Sequence, residues 1–182
     1  MKVVGIIGSP RRGGNTETLV EKVLAGAAAA GAETKAFRLN EMNIRGCQAC
    51  YHCKEHDRCR QDDDMAQIYR ALLAADGIVL GSPVYMGYVT AQAKLFMYRL
   101  FAFLRPGLSS TFPPGKKFVM VYSQGGGGDR EVVYGLTQRL GRIFGLQVKG
   151  IVGSNGMNDP NAAKGNPALL EEAFRLGREL VG

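Results

Sequence analysis

The sequence predicts an α/β fold in which a doubly wound parallel sheet of five strands carries helices on both faces. Five short apolar runs alternate with stretches of helical periodicity, and a chain of 182 residues is long enough for one domain. Regular βα alternation makes the strands parallel, and right-handed crossovers leave a few topologies. Because no repeat or long linker divides the chain, we expect one domain over residues 1–182.

The elements follow one another in the order strand, loop, helix. The predicted strands are Lys2–Ile7, Thr34–Leu39, Gly77–Leu80, Lys117–Ser123 and Gln147–Val152. The predicted helices are Thr16–Ala30, Asp62–Ala75, Thr90–Phe103, Glu131–Phe144 and Pro167–Val181, with Asn166 as the N-cap of the last. At this length the flavodoxin-like strand order is favoured, in which ligands bind outside the carboxyl ends of the strands.

Composition excludes several classes of protein. With 46% hydrophobic and 21% charged residues the chain can bury a core, so it is not a disordered segment. It contains no apolar run of membrane-spanning length, and we expect no signal peptide, because the first residues read as a strand. Four cysteines are too few for a disulfide scaffold of this size. We expect a cytoplasmic chain with reduced cysteines and no nucleic-acid partner, since no helix carries a dense basic face despite the net charge of +7.

The loop after the first strand has the composition of a phosphate cradle. It reads Gly-Ser-Pro-Arg-Arg-Gly-Gly-Asn-Thr over residues 8–16, directly before a helix. Gly13 and Gly14 permit a tight turn, Asn15 and Thr16 are expected to cap the helix, and helix N–H groups bind anions. The loop lacks the Gly-Lys-Ser/Thr ending of a P-loop and the Gly-x-Gly-x-x-Gly fingerprint of dinucleotide sites. A tight turn that merely caps the helix is the alternative.

Two further loops end at the same predicted sheet edge. Residues 81–88 read Gly-Ser-Pro-Val-Tyr-Met-Gly-Tyr, a rigid turn whose aromatic rings suit a flat ligand. Residues 123–128 read Ser-Gln-Gly-Gly-Gly-Gly, which lets the backbone pass close to a ligand or act as a hinge. The tyrosines alone could equally pack on a neighbouring element. Three such loops at one edge together predict a ligand site.

All four cysteines lie in the segment 45–60, which follows the second strand. Cys47, Cys50, Cys53 and Cys59 have the spacing C-x2-C-x2-C-x5-C, which is typical of iron–sulfur ligation and predicts a [4Fe–4S] cluster. The basic residues Lys54, Arg58 and Arg60 are expected to keep the thiols ionised. Zinc is the main alternative, although two well-separated C-x2-C pairs are absent, and free redox-active thiols are another. We assign no role to His52 or His56.

These motifs resemble those of a known family. Gly8-Ser9-Pro10-Arg11, Gly14-Asn15-Thr16 and Ser82-Pro83-Val84-Tyr85 look like the flavin loops of the NADPH-dependent FMN reductase superfamily, and the cysteine motif resembles that of its iron–sulfur flavoproteins. The resemblance implies FMN, with its phosphate at Ser9, Arg11, Asn15 and Thr16 and its ring against residues 83–87 and 123–126. The candidate FMN contacts are Ser9, Arg11, Arg12, Gly14, Asn15, Thr16, Ser82, Pro83, Val84, Tyr85, Met86, Gly87, Ser123, Gln124, Gly125 and Gly126.

We therefore predict a redox flavoprotein in which FMN and a [4Fe–4S] cluster convert between one- and two-electron transfer. The expected donor is a ferredoxin-like protein or NAD(P)H, and the expected acceptor is oxygen, a peroxide or a quinone. No side chain is assigned as a general acid or other catalytic group. The alternatives are an NAD(P)H-dependent FMN or quinone reductase without a cluster, and a non-enzymatic electron carrier or zinc-stabilised binding module. A helix that is apolar nearly all round, Thr90–Leu104, predicts a homodimer or homotetramer.

Overall fold

A computed structural model describes residues 1–128 and 130–182 of the chain. Its strands are β1 (Lys2–Ile7), β2 (Glu33–Arg38), β3 (Gly77–Tyr85), β4 (Tyr88–Val89), β5 (Lys117–Ser123) and β6 (Gln147–Ser154). Its helices are α1 (Asn15–Ala29), α2 (His52–Glu55), α3 (Met65–Ala74), α4 (Ala91–Arg99), α5 (Arg130–Phe144) and α6 (Pro167–Glu179). Short 3-10 turns cover Leu39–Glu41, Leu100–Phe103 and Pro106–Leu108. Every predicted strand and helix is therefore present; the strands Lys2–Ile7 and Lys117–Ser123 have the predicted bounds, and the other elements differ at one or both ends.

The parallel sheet has the strand order β2-β1-β3-β5-β6, which confirms the flavodoxin-like prediction. The order reverses between β1 and β3, so a crevice opens at their carboxyl ends. The predicted number of five strands is wrong, because the two-residue strand β4 pairs antiparallel with the end of β3. Met86 and Gly87 form the connection with φ angles of 50° and 74°, as a two-residue hairpin turn requires.

Helices cover both faces of the sheet and bury two separate apolar clusters. One cluster packs α1 and α6 against one face, and the other packs α3, α4 and α5 against the opposite face. The helices α1 and α6 approach closely at glycines: a Cβ on Gly177 would lie 1.9 Å from the carbonyl oxygen of Val23, and one on Gly26 would lie 2.0 Å from that of Phe174. These two of the chain's 25 glycines therefore serve helix packing rather than loops.

The helix ends match the sequence expectations in part. Asn166 caps α6, as predicted, because its side chain accepts a hydrogen bond from the N–H of Leu169 at 3.1 Å. The predicted cap of α1 is wrong: Gly14 is the N-cap and no side chain caps that end. Thr90 caps α4, whose α-helical part ends at Arg99 and continues as a 3-10 turn. In the part of the chain described, no helix combines the length and apolar character needed to cross a bilayer.

Candidate functional site

A pocket opens at the carboxyl edge of the sheet, where the loops after β1, β3, β5 and β6 meet. We call it the strand-edge pocket. It is lined by Ser9, Arg11, Gly14, Asn15, Thr16, Pro83, Tyr85, Ser123, Gln124, Gly125, Met157 and Pro160. All of these except Met157 and Pro160 belong to the candidate set from the sequence. The fold thus brings residues from three predicted loops into one site at the switch point of the sheet.

The floor of this pocket is the start of α1. The first N–H groups of a helix have no acceptor within the helix, so they favour an anion there. Gly13 turns the chain with φ of 63°, and its N–H donates to the carboxylate of Glu17 at 2.8 Å. Glu17 is buried, and Arg38 pairs with it and neutralises its charge. The hydrogen bond to Glu17 raises the pKa of Arg38. Because Arg38 offsets the negative charge of Glu17, this carboxylate does not prevent the helix end from attracting a phosphate.

Asn15 and Thr16 hold the pocket walls together rather than capping the helix. The Asn15 amide donates to the carbonyls of Met157 and Asp159, at 3.2 and 2.7 Å, and its oxygen accepts from the N–H of Ala163 at 2.9 Å. The Thr16 hydroxyl lies 2.8 Å from that of Ser123 at the end of β5. The side-chain amide of Asn15 is therefore already hydrogen-bonded within the protein, and only its backbone N–H is available to bind a phosphate.

Six candidate residues lie outside the lining of this pocket. Arg12 is exposed and pairs with Glu41 at 2.7 Å. Ser82 is fully buried, where its hydroxyl accepts from the N–H of Thr90 at 3.0 Å, and Val84 belongs to the apolar core. The remaining three, Met86, Gly87 and Gly126, are exposed. These three exposed residues could contact only a ligand that extends beyond the pocket.

Sequence reasoning missed the loop after β6. Met157 and Pro160 line the pocket, and the side-chain amide of Asn158 donates to the carbonyl of Gly125 at 3.2 Å. A Cβ on Gly125 would lie 2.2 Å from the Asn158 side chain, so glycine is needed for this contact. The signal was present, because residues 153–160 are a Gly- and Asn-rich run directly after a predicted strand.

A second pocket is lined by all four cysteines, and we call it the cysteine pocket. Gln48, Ala49, Tyr51, Arg60, Gln61, Arg99, Phe101 and Ala102 complete its lining. Cys47 and Cys50 are exposed, Cys59 is half-buried, Cys53 is buried, and none forms a disulfide. The backbone is left-handed at Ala49, Tyr51 and Asp57, with φ between 49° and 56°. Such conformations cost energy in non-glycine residues and are concentrated at functional sites.

The base of the cysteine loop is closed by paired contacts between its two ends. The N–H of Asn43 donates to the Asp64 carboxylate at 2.7 Å, and the N–H of Asp64 donates back to the Asn43 carbonyl at 3.1 Å. The Gln61 side chain donates to the carbonyl of Gly46 at 2.9 Å. These contacts fix where the segment enters and leaves, so the cysteines occupy a defined position beside α4.

Cationic side chains dock the loop on the end of α4. Lys54 donates to the carbonyls of Phe101, at 2.6 Å, and Leu104. Arg105 donates to the carbonyl of Cys53 at 3.1 Å and pairs with Asp57. Lys54 is thus directed to the helix end. The predicted effect of the three basic residues on the thiols stays a prediction, with Arg60 lining the pocket and Arg58 exposed.

Arg99 is the residue of this pocket that sequence reasoning missed. It is buried in α4, and its guanidinium contacts the sulfur of Cys59 at 3.4 Å and both carboxylate oxygens of Asp63. Burial lowers the pKa of Arg99, but its hydrogen bond with Asp63 and the charges around it together outweigh burial, so the net shift is upward. For Asp63, burial raises the pKa, but the hydrogen bonds from Arg99 and from the N–H groups of Arg45 and Met65, with the Arg99 charge, together outweigh burial, so the net change is downward. The pair is therefore charged.

The histidines stand apart from the cysteine pocket. The rings of His52 and His56 contact each other with centroids 4.1 Å apart, and neither lines the pocket. Desolvation, then the charges of His56, Arg58 and Arg60, lower the pKa of His52. Across residues 1–128 and 130–182, no three His, Cys, Asp or Glu side chains are grouped so as to hold one metal ion.

A doubly wound sheet with a helix N-terminus at its switch point, together with a pocket lined by four thiols, is the arrangement expected of a flavodoxin-like redox protein. Residues 1–158 match the sequence model of the family described as NADPH-dependent FMN reductase. The chain is 38% identical over 194 residues to an iron–sulfur flavoprotein of Methanocaldococcus jannaschii, covering 100% of this chain and 96% of that protein. It is 32% identical over 182 residues to an iron–sulfur flavoprotein of Archaeoglobus fulgidus, covering 96% of this chain and 80% of that one.

Solved structures share the fold. An FMN-dependent NADH-azoreductase of Bacillus anthracis in complex with FMN superposes with a TM-score of 0.74 at 12% identity, covering 100% of both chains. An NAD(P)H:quinone oxidoreductase from Methanothermobacter marburgensis superposes with a TM-score of 0.70 at 18% identity, covering 100% of this chain and 98% of the other. At these identities the likeness concerns the fold alone.

The chain belongs to the NADPH-dependent FMN reductase family and, within it, to the iron–sulfur flavoproteins. It is therefore an FMN-dependent oxidoreductase.

Proposed function

We propose that the protein converts between two-electron and one-electron transfer, with FMN in the strand-edge pocket and a [4Fe–4S] cluster in the cysteine pocket. The observation that carries the proposal is that all four cysteines line one pocket. Each cysteine of a four-iron cluster binds a different iron, so the thiols must surround a centre rather than converge on one point. The arrangement fits this group better than it fits a single tetrahedral zinc ion, whose four ligands share one metal.

The residues of the strand-edge pocket suit FMN. Its phosphate would lie at the start of α1, between Ser9, Arg11 and the backbone N–H groups of Asn15 and Thr16. The ring would lie against Pro83, Tyr85 and residues 123–125. Of the other candidates, Ser82 acts by fixing the β3–β4 turn through its contact with Thr90. Met86, Gly87 and Gly126 are available to the outer edge of the ring, whereas Arg12 and Val84 serve the loop and the core.

FMN, when bound, would supply both two-electron and one-electron chemistry, which a one-electron centre in the same protein could use. The chain supplies orientation and electrostatics. The helix N-terminus and Arg11 would hold the phosphate, and the walls that Asn15 and Thr16 link would keep the ring in a fixed position. Among the described residues, no His, Lys, Asp or Glu lines this pocket. Protons exchanged at the flavin would therefore come from solvent or from the hydroxyl of Tyr85, which lines the pocket.

The donor is proposed to be NAD(P)H or an acidic ferredoxin-like protein, and the acceptor a small molecule such as oxygen, a peroxide or a quinone. Arg58 and Arg60 are exposed in the cysteine loop and suit an acidic protein surface. Four thiols without a disulfide suit a reducing compartment such as the cytoplasm. We propose a homodimer or homotetramer, because Tyr98 of α4 is 55% exposed and Tyr88 beside it is 37% exposed.

Serine variants test the proposal. Cys50→Ser and Cys59→Ser, purified without oxygen and reconstituted with iron and sulfide, should lose most bound iron and acid-labile sulfide. FMN content should be unchanged, because no cysteine lines the strand-edge pocket. A wild-type chain that binds FMN but no iron would indicate a reductase without a cluster. A chain that binds one zinc ion and no FMN would indicate a binding module, and a variant that loses FMN with its iron would contradict two separate sites.

A further inference from the structure

Arg99 is a buried cation that reaches from α4 into the wall of the cysteine pocket. It is 2% exposed and heads the largest fully buried side chains of the described residues. Its Nη1 donates to Asp63 Oδ2 at 2.5 Å and to the carbonyl of Arg45 at 2.9 Å, and its Nη2 donates to Asp63 Oδ1 at 3.1 Å. The guanidinium therefore has a fixed position at the base of the cysteine loop.

Two of its N–H groups are directed elsewhere than to Asp63 and Arg45. Nη2 also lies 3.4 Å from Cys59 Sγ, within hydrogen-bond range of a sulfur acceptor. Nε is buried and has no acceptor among the residues that the structure describes. An unpaired buried donor is destabilising, so such groups in native proteins call for an explanation. Arg99 lines the pocket that all four cysteines surround, and sulfur atoms held there would supply acceptors.

We propose that Arg99 is the positioning residue of the cluster site, which orients Cys59 and stabilises the extra negative charge of the reduced cluster. This inference rests on the cluster assignment above. Hydrogen bonds to the cluster sulfurs and nearby charges set the reduction potential of such centres. A hydrogen-bond donor that carries a positive charge favours the reduced form. Arginine suits the role because it stays charged at every working pH and its planar fork binds Asp63 and a sulfur together.

Asp63 gives the proposal a test of sign. Its carboxylate side chain is fully buried against Arg99 and offsets part of the positive charge. Asn in place of Asp63 keeps a hydrogen-bond acceptor for Arg99 but removes the offsetting charge. If Arg99 acts on the cluster by its charge, Asp63→Asn must favour reduction, whereas loss of Arg99 must oppose it. If Arg99 and Asp63 only supported the fold, both substitutions would change the protein in the same direction, because both would cause loss of the cluster.

The experiment is an anaerobic redox titration of reconstituted wild-type protein and variants, followed by the EPR signal of the reduced cluster. For Arg99→Gln/Asp63→Asn, which leaves no buried charge unpaired, we expect the equilibrium constant for one-electron reduction to fall at least tenfold. That corresponds to a midpoint potential lower by about 59 mV. Asp63→Asn should shift the potential upward, and Arg99→Lys should shift it downward by less than the double variant. Arg58→Gln removes an equal but exposed charge from the same loop and should change the constant less than about threefold.

The outcomes separate this inference from the proposed function. A wild-type chain that takes up no cluster overturns both. A wild-type cluster with potentials that are unchanged in Asp63→Asn and Arg99→Lys overturns the role of Arg99 and leaves the cluster assignment intact. If the double variant fails to fold, Asp63→Asn decides the matter, because it removes the offsetting charge and leaves Arg99 in place: an upward shift larger than any change in Arg58→Gln supports the proposal, and no shift or a downward shift contradicts it.

Discussion

The hydroxyl groups of Thr16 and Ser123 lie 2.8 Å apart, although 107 residues separate them in the chain. The contact joins the start of α1 to the end of β5 across the strand-edge pocket. Asn15 makes a second link, to the loop after β6, through three hydrogen bonds. The chain's own contacts therefore hold the pocket walls in place, and this reduces the ordering cost of cofactor binding.

Removal of the Thr16 hydroxyl should weaken FMN binding. Thr16→Val keeps the volume but leaves Ser123 without its buried partner. We expect the Kd for FMN to rise about five- to tenfold, because the lost hydrogen bond contributes roughly 1 kcal/mol. Titration of the apoprotein by quenching of flavin fluorescence measures this. Thr137→Val is the matched control, because Thr137 is fully buried in α5 and bonds the carbonyl of Val133 away from the pocket. Equal effects of the two variants would count against the preformed pocket.

The two adjacent arginines of the first loop should differ in their effect on phosphate recognition. Arg11 lines the pocket, whereas Arg12 is exposed and paired with Glu41. Arg11→Gln should weaken FMN binding about tenfold, since a charge-assisted contact contributes roughly 1.5 kcal/mol or more. Binding of riboflavin, which lacks the phosphate, should change little. Arg12→Gln serves as the control, and a larger loss of FMN affinity in this variant would show that the phosphate lies elsewhere.

The close approach of α1 and α6 predicts a stability difference between two glycine substitutions. Gly177→Ala would place a Cβ 1.9 Å from the carbonyl of Val23, so the helices must separate and unfolding should become easier by about 1–3 kcal/mol. Gly135→Ala in α5 meets no atom within 4 Å and should stabilise the fold by up to about 1 kcal/mol through helix propensity. Urea denaturation compares them. Similar shifts of the midpoints would contradict the packing described here.

Electron uptake from an acidic donor protein should depend strongly on salt. Exposed Arg58 and Arg60 flank the last cysteine of the loop, and steering by surface charges is screened as ionic strength rises. Stopped-flow reduction by a reduced ferredoxin should therefore slow at least tenfold between about 20 and 500 mM salt. Reduction by dithionite, a small reagent, gives the comparison for effects of salt on the cofactors themselves. A rate with a ferredoxin that does not change with salt would exclude charge steering.

The sequence predicted the architecture because its signals are local. Alternating apolar runs and helical periodicity identify strands and helices, and parallel connectivity then places three loops at one edge. The short strand β4 escaped notice because two residues carry no periodicity, and its turn at Met86–Gly87 reads equally well as a loop. Asn15 and Thr16 were predicted to cap the helix because that explanation needs only neighbouring residues. Their actual hydrogen-bond partners lie more than 100 residues away in the chain.

The cysteine pocket shows the same division between local and distant signals. The spacing of the four cysteines was sufficient to indicate a shared centre, and the structure places them around one pocket. Arg99 lies 40 residues beyond Cys59 in the chain, inside a helix that reads as apolar. Nothing in its neighbours marks it as different from a basic residue at a helix end. Only the packing of the loop against α4 reveals that this cation is buried.

The most direct test of the account is the cofactor content of the wild-type protein, purified without oxygen and measured by iron, sulfide and flavin analysis together with EPR after dithionite reduction. We expect one FMN and one [4Fe–4S] cluster per chain, which means about four iron and four sulfide, with an EPR signal typical of a reduced four-iron centre. A reconstituted chain that carries FMN without iron or sulfide would contradict the assignment of a cluster to the cysteine pocket.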